Sequence, residues 1–206
     1  MITIRNASGT VLTHFDNNVP EGNPYFEPEM TENMESLVSS FSFSVPLQLE
    51  GSEYLSKLNQ VLAKDKDGDL RVFVINDVYE DWNTTDGTVR VVAEDISITE
   101  MNGIILPPIT AMNFNDALKA VFNKSGWTYE LTANPSELDR ALFATEDYMN
   151  MREALVKLRT VYGCQFKFMA QEDAFGTLKR VVKVFKNRGN NTGKYFYYDR
   201  DLLKLS

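Results

Sequence analysis

Cysteine and histidine occur only once each in this 206-residue chain, as Cys164 and His14. A single cysteine excludes an internal disulfide, and two such residues far apart in sequence do not supply the three or four ligands of a zinc site. A Cys–His nucleophile pair would need both side chains together. Cys164 instead alternates with Phe166 in a predicted strand, where free cysteine usually packs as a small hydrophobe. We therefore expect no thiol chemistry and no zinc centre.

Long apolar runs and glycine-rich motifs are also missing. The first residues alternate in polarity, which is not typical of a signal peptide, and no run is long enough to cross a membrane. The sequence has no dinucleotide fingerprint, phosphate loop or Gly-x-Ser-x-Gly elbow. The net charge is −8, which disfavours direct binding to a nucleic-acid duplex. We predict no catalytic residue, no metal and no cofactor.

Acidic residues are the most conspicuous polar group. Asp65, Asp67 and Asp69 resemble the start of a calcium loop, but glycine stands fourth and Asn76 twelfth, where the EF-hand pattern requires glycine sixth and glutamate twelfth. We therefore predict a solvated turn. Neighbouring carboxylates such as Glu146 and Asp147 point apart in an extended chain, and we interpret them as surface charge.

Two stretches share the pattern of a capped helix followed by a strand. In residues 150–168, Asn150 and Glu153 predict a capping box, and Gly163 predicts the helix end. Residues 113–131 repeat the pattern, starting from a cap at Asn113. In the first stretch, Lys167 is expected on the polar face of the strand, opposite Cys164, Phe166 and Phe168. The two units predict an α/β layer and do not by themselves name a function.

The preceding residues are predicted to be mostly β. We expect a hairpin around residues 6–9, a strand over 32–46, a helix from Ser52, and strands over 70–79 and 88–99. Pro107 and Pro108 mark a boundary. The predicted fold class is α+β, with an N-terminal antiparallel β-barrel-like domain followed by an α/β domain of two helix–strand units. The predicted divisions are 1–104, 105–177 and 178–206, the last being strands that lead into a second, truncated barrel.

An aromatic cluster near the C-terminus is the one candidate interaction surface. It consists of Tyr195, Phe196, Tyr197 and Tyr198. The cluster could bind a sugar or another protein, and a sheet edge that packs on a missing partner explains it equally well.

The order of these elements resembles the N-terminal hub region of tail-tip proteins from long-tailed phages and prophages. These proteins include tail-associated lysins, prophage endopeptidase tail proteins and minor structural proteins, and they are similar to the baseplate hub of contractile tails. Five segments carry the resemblance: residues 41–45 before a proline, 71–75, 91–96, 122–127 and, above all, 151–163.

The resemblance implies a structural component of the tail tip, in a trimeric ring that connects the tail tube to host-contacting parts. Its partners would be further copies of itself and the distal tail and tube proteins, with DNA passing through an acidic lumen without specific binding. The protein would be made in the host cytoplasm and end in the virion tail tip. Hydrolase activity, where the family has it, usually lies in further C-terminal domains, so we expect no enzyme in these residues. Since the family chain normally continues further, the resemblance implies that this chain is truncated.

Two alternatives from other functional classes stay open at the level of sequence. One is a peptidoglycan-degrading tail peptidase or lysin, which would require polar side chains that converge in a cleft. The other is a carbohydrate- or receptor-binding module that uses the aromatic cluster.

Overall fold

The computed structural model describes residues 1–82, 87–132, 138, 141–174 and 176–186. Strands dominate these ranges, and three α-helices accompany them. The strands are β1 (Ile2–Arg5), β2 (Val11–Phe15), β3 (Phe26–Asn33), β4 (Val38–Pro46), β5 (Gln60–Lys64), β6 (Leu70–Asp81), β7 (Thr88–Asp95), β8 (Ile105–Leu106), β9 (Trp127–Leu131), β10 (Met149–Asn150), β11 (Gln165–Glu172) and β12 (Leu178–Phe185). The helices are α1 (Ile96–Asn102), α2 (Phe114–Phe122) and α3 (Met151–Tyr162). None of these helices has the length and apolar character needed to span a bilayer.

The N-terminal strands form an antiparallel sheet in the order β3-β4-β7-β6-β5-β1-β2. The sheet curls strongly, and this curl brings the ring centroids of Phe15 on β2 and Phe43 on β4 within 6.2 Å of each other. Its concave side encloses a core that includes Ile4, Phe73 and Val91. In the described part of the chain the end strands β2 and β3 do not pair with each other, so the barrel-like sheet is open.

The second half of the chain is an α/β layer. β12 lies between β11, which is antiparallel to it, and β9, which is parallel to it. Helices α2 and α3 bury their apolar faces in a second core, which also receives Leu62 and Val72 from the N-terminal sheet. The two sheets meet where Ala170 of β11 pairs with Leu70 of β6. The predicted α+β class is confirmed.

Both predicted helix–strand units are present. Asn150 and Glu153 form a complete capping box, and Gly163 ends α3 in the left-handed region at φ 65°. Asn113 caps α2 by accepting a hydrogen bond from the backbone N–H of Asp116. The caps and the apolar stripes are local signals, and local signals of this kind determine where an amphipathic helix begins and ends.

The helix predicted from Ser52 is wrong. Ser52–Tyr54 is a short 3₁₀ turn, and residues 60–64 form β5 between β1 and β6. Leu58, expected in the helical stripe, is 72% exposed. Val61 enters the barrel core and Leu62 the α/β core, since β5 is covered on both faces. A strand buried on both faces shows an apolar run without alternation, and such a run is easily mistaken for a helical stripe.

Other boundaries also differ from prediction. The single strand predicted over residues 32–46 is two paired strands, β3 and β4, joined by a turn in which Leu37 takes φ 57°. The strand predicted to run to residue 99 ends at Asp95, whose carboxylate accepts the Ser97 N–H and caps α1. β12, at the start of the division predicted to lead into a second barrel, pairs with β11 and β9 in the α/β sheet. The domain boundaries themselves stay predictions.

Candidate functional site: an ionic cluster between the two sheets

The residues singled out in the sequence do not meet in one site. The aromatic cluster, Tyr195 to Tyr198, lies outside the described residues, so its role stays a prediction. Cys164 is buried, as predicted, and burial raises the pKa of its thiol to about 12. His14, the histidine that a Cys–His pair would require, instead shares a hydrogen bond with Thr3 on the N-terminal hairpin.

Lys167 occupies the least expected position. Its predicted placement on the polar, solvent-facing side of β11 is wrong, because only 1% of the residue is exposed. Its Nζ lies 2.8 Å from Asp65 Oδ2, 2.8 Å from Asp67 Oδ2 and 2.6 Å from Asp69 Oδ2. At Lys167, the face of β11 opposite the helices is thus covered by the β5–β6 turn rather than by water.

The fold of this turn directs its carboxylates inward. Asp65 Oδ1 accepts hydrogen bonds from the backbone N–H groups of Asp67 and Asp69, and Gly68 supplies the left-handed backbone at φ 83°. The predicted solvated turn is wrong for Asp65, whose side chain is 6% exposed. Ligand oxygens of the three aspartates lie within 4.8 Å of one another, as they would around a cation. The Lys167 ammonium lies among them and supplies that positive charge.

The proton equilibria follow from this packing. Burial alone would lower the pKa of Lys167, but hydrogen bonds to the three aspartates outweigh it and hold the pKa above its ordinary value. Burial alone would raise the pKa of Asp69, but hydrogen bonds from Lys167 and Lys183 hold it below its ordinary value. Lys167 and Asp69 are therefore both charged at neutral pH.

Lys183 explains why the cluster is needed at this position. It stands directly opposite Lys167 in the β11–β12 ladder, where two like charges would destabilise the pair. Asp69 contacts both ammonium groups, at 2.6 Å from Lys167 and 3.0 Å from Lys183. Asp69, in the β5–β6 turn, therefore offsets the positive charges of Lys167 on β11 and Lys183 on β12.

Arg71 extends the cluster into the N-terminal sheet. The residue is 1% exposed, and its Nη2 donates to Asp95 at 2.9 Å and to Ser39 at 3.0 Å. Its Nη1 lies 3.8 Å from Asp65 and 3.7 Å from Glu32. Counting these contacts, five carboxylates (Glu32, Asp65, Asp67, Asp69 and Asp95) surround three cations (Arg71, Lys167 and Lys183), a formal balance of −2.

The cluster is held together by paired charges. Every cation of the cluster is matched by carboxylates at ion-pair distance. Ser39 contributes only a hydroxyl that accepts from Arg71. Further ion pairs, Arg180 with Glu100 and Arg5 with Glu172, also join the two parts of the chain. The cluster therefore fixes the relative position of the two sheets.

Comparison with known proteins yields similarity of structure and not of sequence. No protein-family model matches the chain, and no curated protein sequence matches it either. A prophage tail protein, gp18 from Listeria monocytogenes EGD-e, superposes with a TM-score of 0.56 over 89% of this chain, at 18% identity. A 43 kDa tail protein of prophage MuSo2 from Shewanella oneidensis superposes with a TM-score of 0.52 over 93%, at 12% identity.

The match covers only part of each relative. This chain corresponds to 49% of the Listeria protein and 57% of the Shewanella protein. Identities this low establish the fold and do not transfer an activity or a partner. At the level of the fold they confirm the resemblance on which the sequence prediction rested: this chain has the fold of prophage tail proteins.

Proposed function

We propose that this chain is a structural component of a phage or prophage tail tip, in the hub of the baseplate. The observation that carries the proposal is the shared fold with two prophage tail proteins over nine-tenths of the chain. The described residues support a scaffold role, because every cation of the buried ionic cluster is paired with carboxylates that join the two sheets.

Self-association into a trimeric ring is part of the proposal. Sheet edges favour assembly, and in the described part of the chain the ten-stranded sheet has free edges at β2, β3 and β9. A ring of three copies requires heterologous contacts, in which two different surfaces of the subunit meet. The ring would join the tube and distal tail proteins and surround the exiting DNA, and its net charge of −8 per chain would prevent tight binding of that DNA.

Native mass spectrometry over a range of concentrations tests the self-association. We expect a species of three chains that becomes more populated as the concentration rises. A chain that stays monomeric at the highest concentration would contradict self-association by these residues while leaving the fold assignment intact.

Zymography on peptidoglycan tests the structural role against the enzymatic alternative. We expect no cleared band from the purified protein, with lysozyme as the positive control in the same gel. A cleared band that co-migrates with the chain would contradict the proposal.

Adsorption of the protein to host cells, compared before and after alanine replacement of the aromatic cluster, tests the receptor-binding alternative.

A further inference from the structure

The opening in the N-terminal sheet lies along β3. This strand is eight residues long and pairs only with β4 in the described part of the chain, and seven of its residues are exposed. Proteins usually protect so long an edge with charged side chains, proline, bulges or a covering segment, because its free N–H and C=O groups pair readily with another strand. β3 carries no lysine; its one bulge, between Phe26 and Glu29, and Pro28, which has no N–H to donate, lie in its first half, so residues 30–33 form the part of the edge that is free to pair.

A cleft runs beside this edge. It consists of two adjoining parts of about 410 and 380 Å³, which share Met30, Asp65 and Lys66. The larger part has mainly apolar walls, which include Ile2, Tyr25, Met30, Leu62 and Leu70. Successive side chains of a strand point to opposite faces, so a strand added to β3 would direct every second side chain toward this cleft.

The exposed carboxylates of β3 indicate the charge of the occupant. Glu27 and Glu29 are both exposed, and neither forms an ion pair with any residue that the structure describes. Cations placed opposite them would be favoured by direct cross-strand attraction. An extended segment that alternates apolar residues with lysine or arginine would therefore place apolar side chains in the cleft and basic side chains beside the two glutamates.

We propose that the free edge of β3 is a docking site for an extended strand of another protein, with apolar side chains entering the cleft and basic side chains facing Glu27 and Glu29. Binding would proceed by strand addition, in which main-chain hydrogen bonds supply affinity and alternate side chains supply specificity. Among the described residues, the other edge strands of the ten-stranded sheet do not have the composition of this partner. β2 has no lysine or arginine, and β9 has none and carries Glu130. The proposal does not depend on the tail-tip function.

A labelled peptide of four Lys-Val repeats, titrated against the full chain by fluorescence anisotropy, tests the site. The test variant is Glu27→Lys/Glu29→Lys. The matched control is Glu146→Lys/Asp147→Lys, which makes the same change in charge at two other exposed carboxylates. We expect the test variant to weaken binding by about tenfold or more and the control by less than about twofold. Equal weakening by both variants would show general charge attraction and overturn the proposal.

A second peptide separates strand pairing from electrostatics without altering the protein. N-methylation of every valine amide removes backbone donors and keeps all charges, so we expect it to abolish most of the binding. Hydrogen exchange should show new protection of β3 amides only with the unmethylated peptide. Equal binding of the two peptides, or no binding by about 1 mM, would overturn the proposal. Protection of β3 that appears with protein concentration alone would assign the edge to a second copy and overturn the choice of partner.

Discussion

Replacing Lys167 with methionine tests the ionic cluster most sharply. Methionine has a similar length and shape, so the substitution removes the ammonium group and little else. The three aspartates, whose oxygens lie within 4.8 Å of one another, would then repel each other. At an effective dielectric constant near 20, each pair at that distance repels by about 3 kcal/mol, and Lys183 and Arg71 offset part of the total.

The expected cost is about 3–5 kcal/mol in the free energy of unfolding, as is typical when one partner of a buried ion pair is removed. Equilibrium unfolding in urea, followed by circular dichroism, measures it. With an m value of about 2 kcal/mol/M, the midpoint would fall by about 1.5–2.5 M. Since the cluster joins the two sheets, we also expect one unfolding transition for the wild type and two for the variant.

The matched control is Lys119→Met. Lys119 pairs with Asp116 at 3.1 Å, but its side chain is 69% exposed. An exposed pair of this kind contributes less than about 1 kcal/mol. Equal effects of the two substitutions would refute the conclusion that the buried cluster stabilises the junction.

The pH dependence of the same variant adds a signed test. The pKa of Asp69 is lowered in the folded protein, so its contribution is present above the pKa of the unfolded carboxyl and is lost as the pH falls through the folded value. The pKa of Lys167 is raised, so its contribution is present below the pKa of the unfolded ammonium and is lost as the pH rises through the folded value. The difference in stability between wild type and Lys167→Met should therefore be largest near neutral pH and shrink at both extremes.

Three further predictions concern α3 and the strand that follows it. Gly163→Ala should cost about 1–2 kcal/mol in urea unfolding, because φ is 65° there, whereas Gly103→Ala, at φ −76°, should be nearly neutral. Asn150→Ala removes the capping box of α3 and should lower the unfolding free energy by about 1 kcal/mol; an unchanged value would contradict the role of the cap. Cys164 should react with a thiol reagent at pH 8 only after denaturation, because its pKa is about 12 and it is buried; rapid labelling of the native protein would contradict this.

The elements predicted correctly from the sequence are those set by local chemistry. The caps at Asn113 and Asn150 and the left-handed residue at Gly163 are all recognisable within one helical turn of sequence. The predicted hairpin at the N-terminus likewise depends on a short turn between β1 and β2. None of these features requires knowledge of what lies across the core.

The elements predicted wrongly depend on contacts between distant residues. β5 was mistaken for a helix because burial on both faces, by two different cores, removed its alternation. Lys167 was placed in solvent because its partners lie about 100 residues earlier, in a turn whose carboxylates were themselves assigned to water. A lysine and three aspartates in separate segments carry no local sign that they meet. Only the pairing of β11 with β12, which sets Lys167 opposite Lys183, reveals the need for that acidic turn.

The location of the protein in virus particles tests the central claim most directly. Particles released from the host that encodes this chain can be labelled with an antibody raised against it and viewed by immunogold electron microscopy, with an antibody against the tail tube as a comparison. The tail-tip proposal predicts that gold from the first antibody lies at the end of the tail farthest from the head. Gold from the tube antibody should lie along the length of the tail. Intact tailed particles that lack this label at the tip, or that carry it elsewhere, would contradict the proposal.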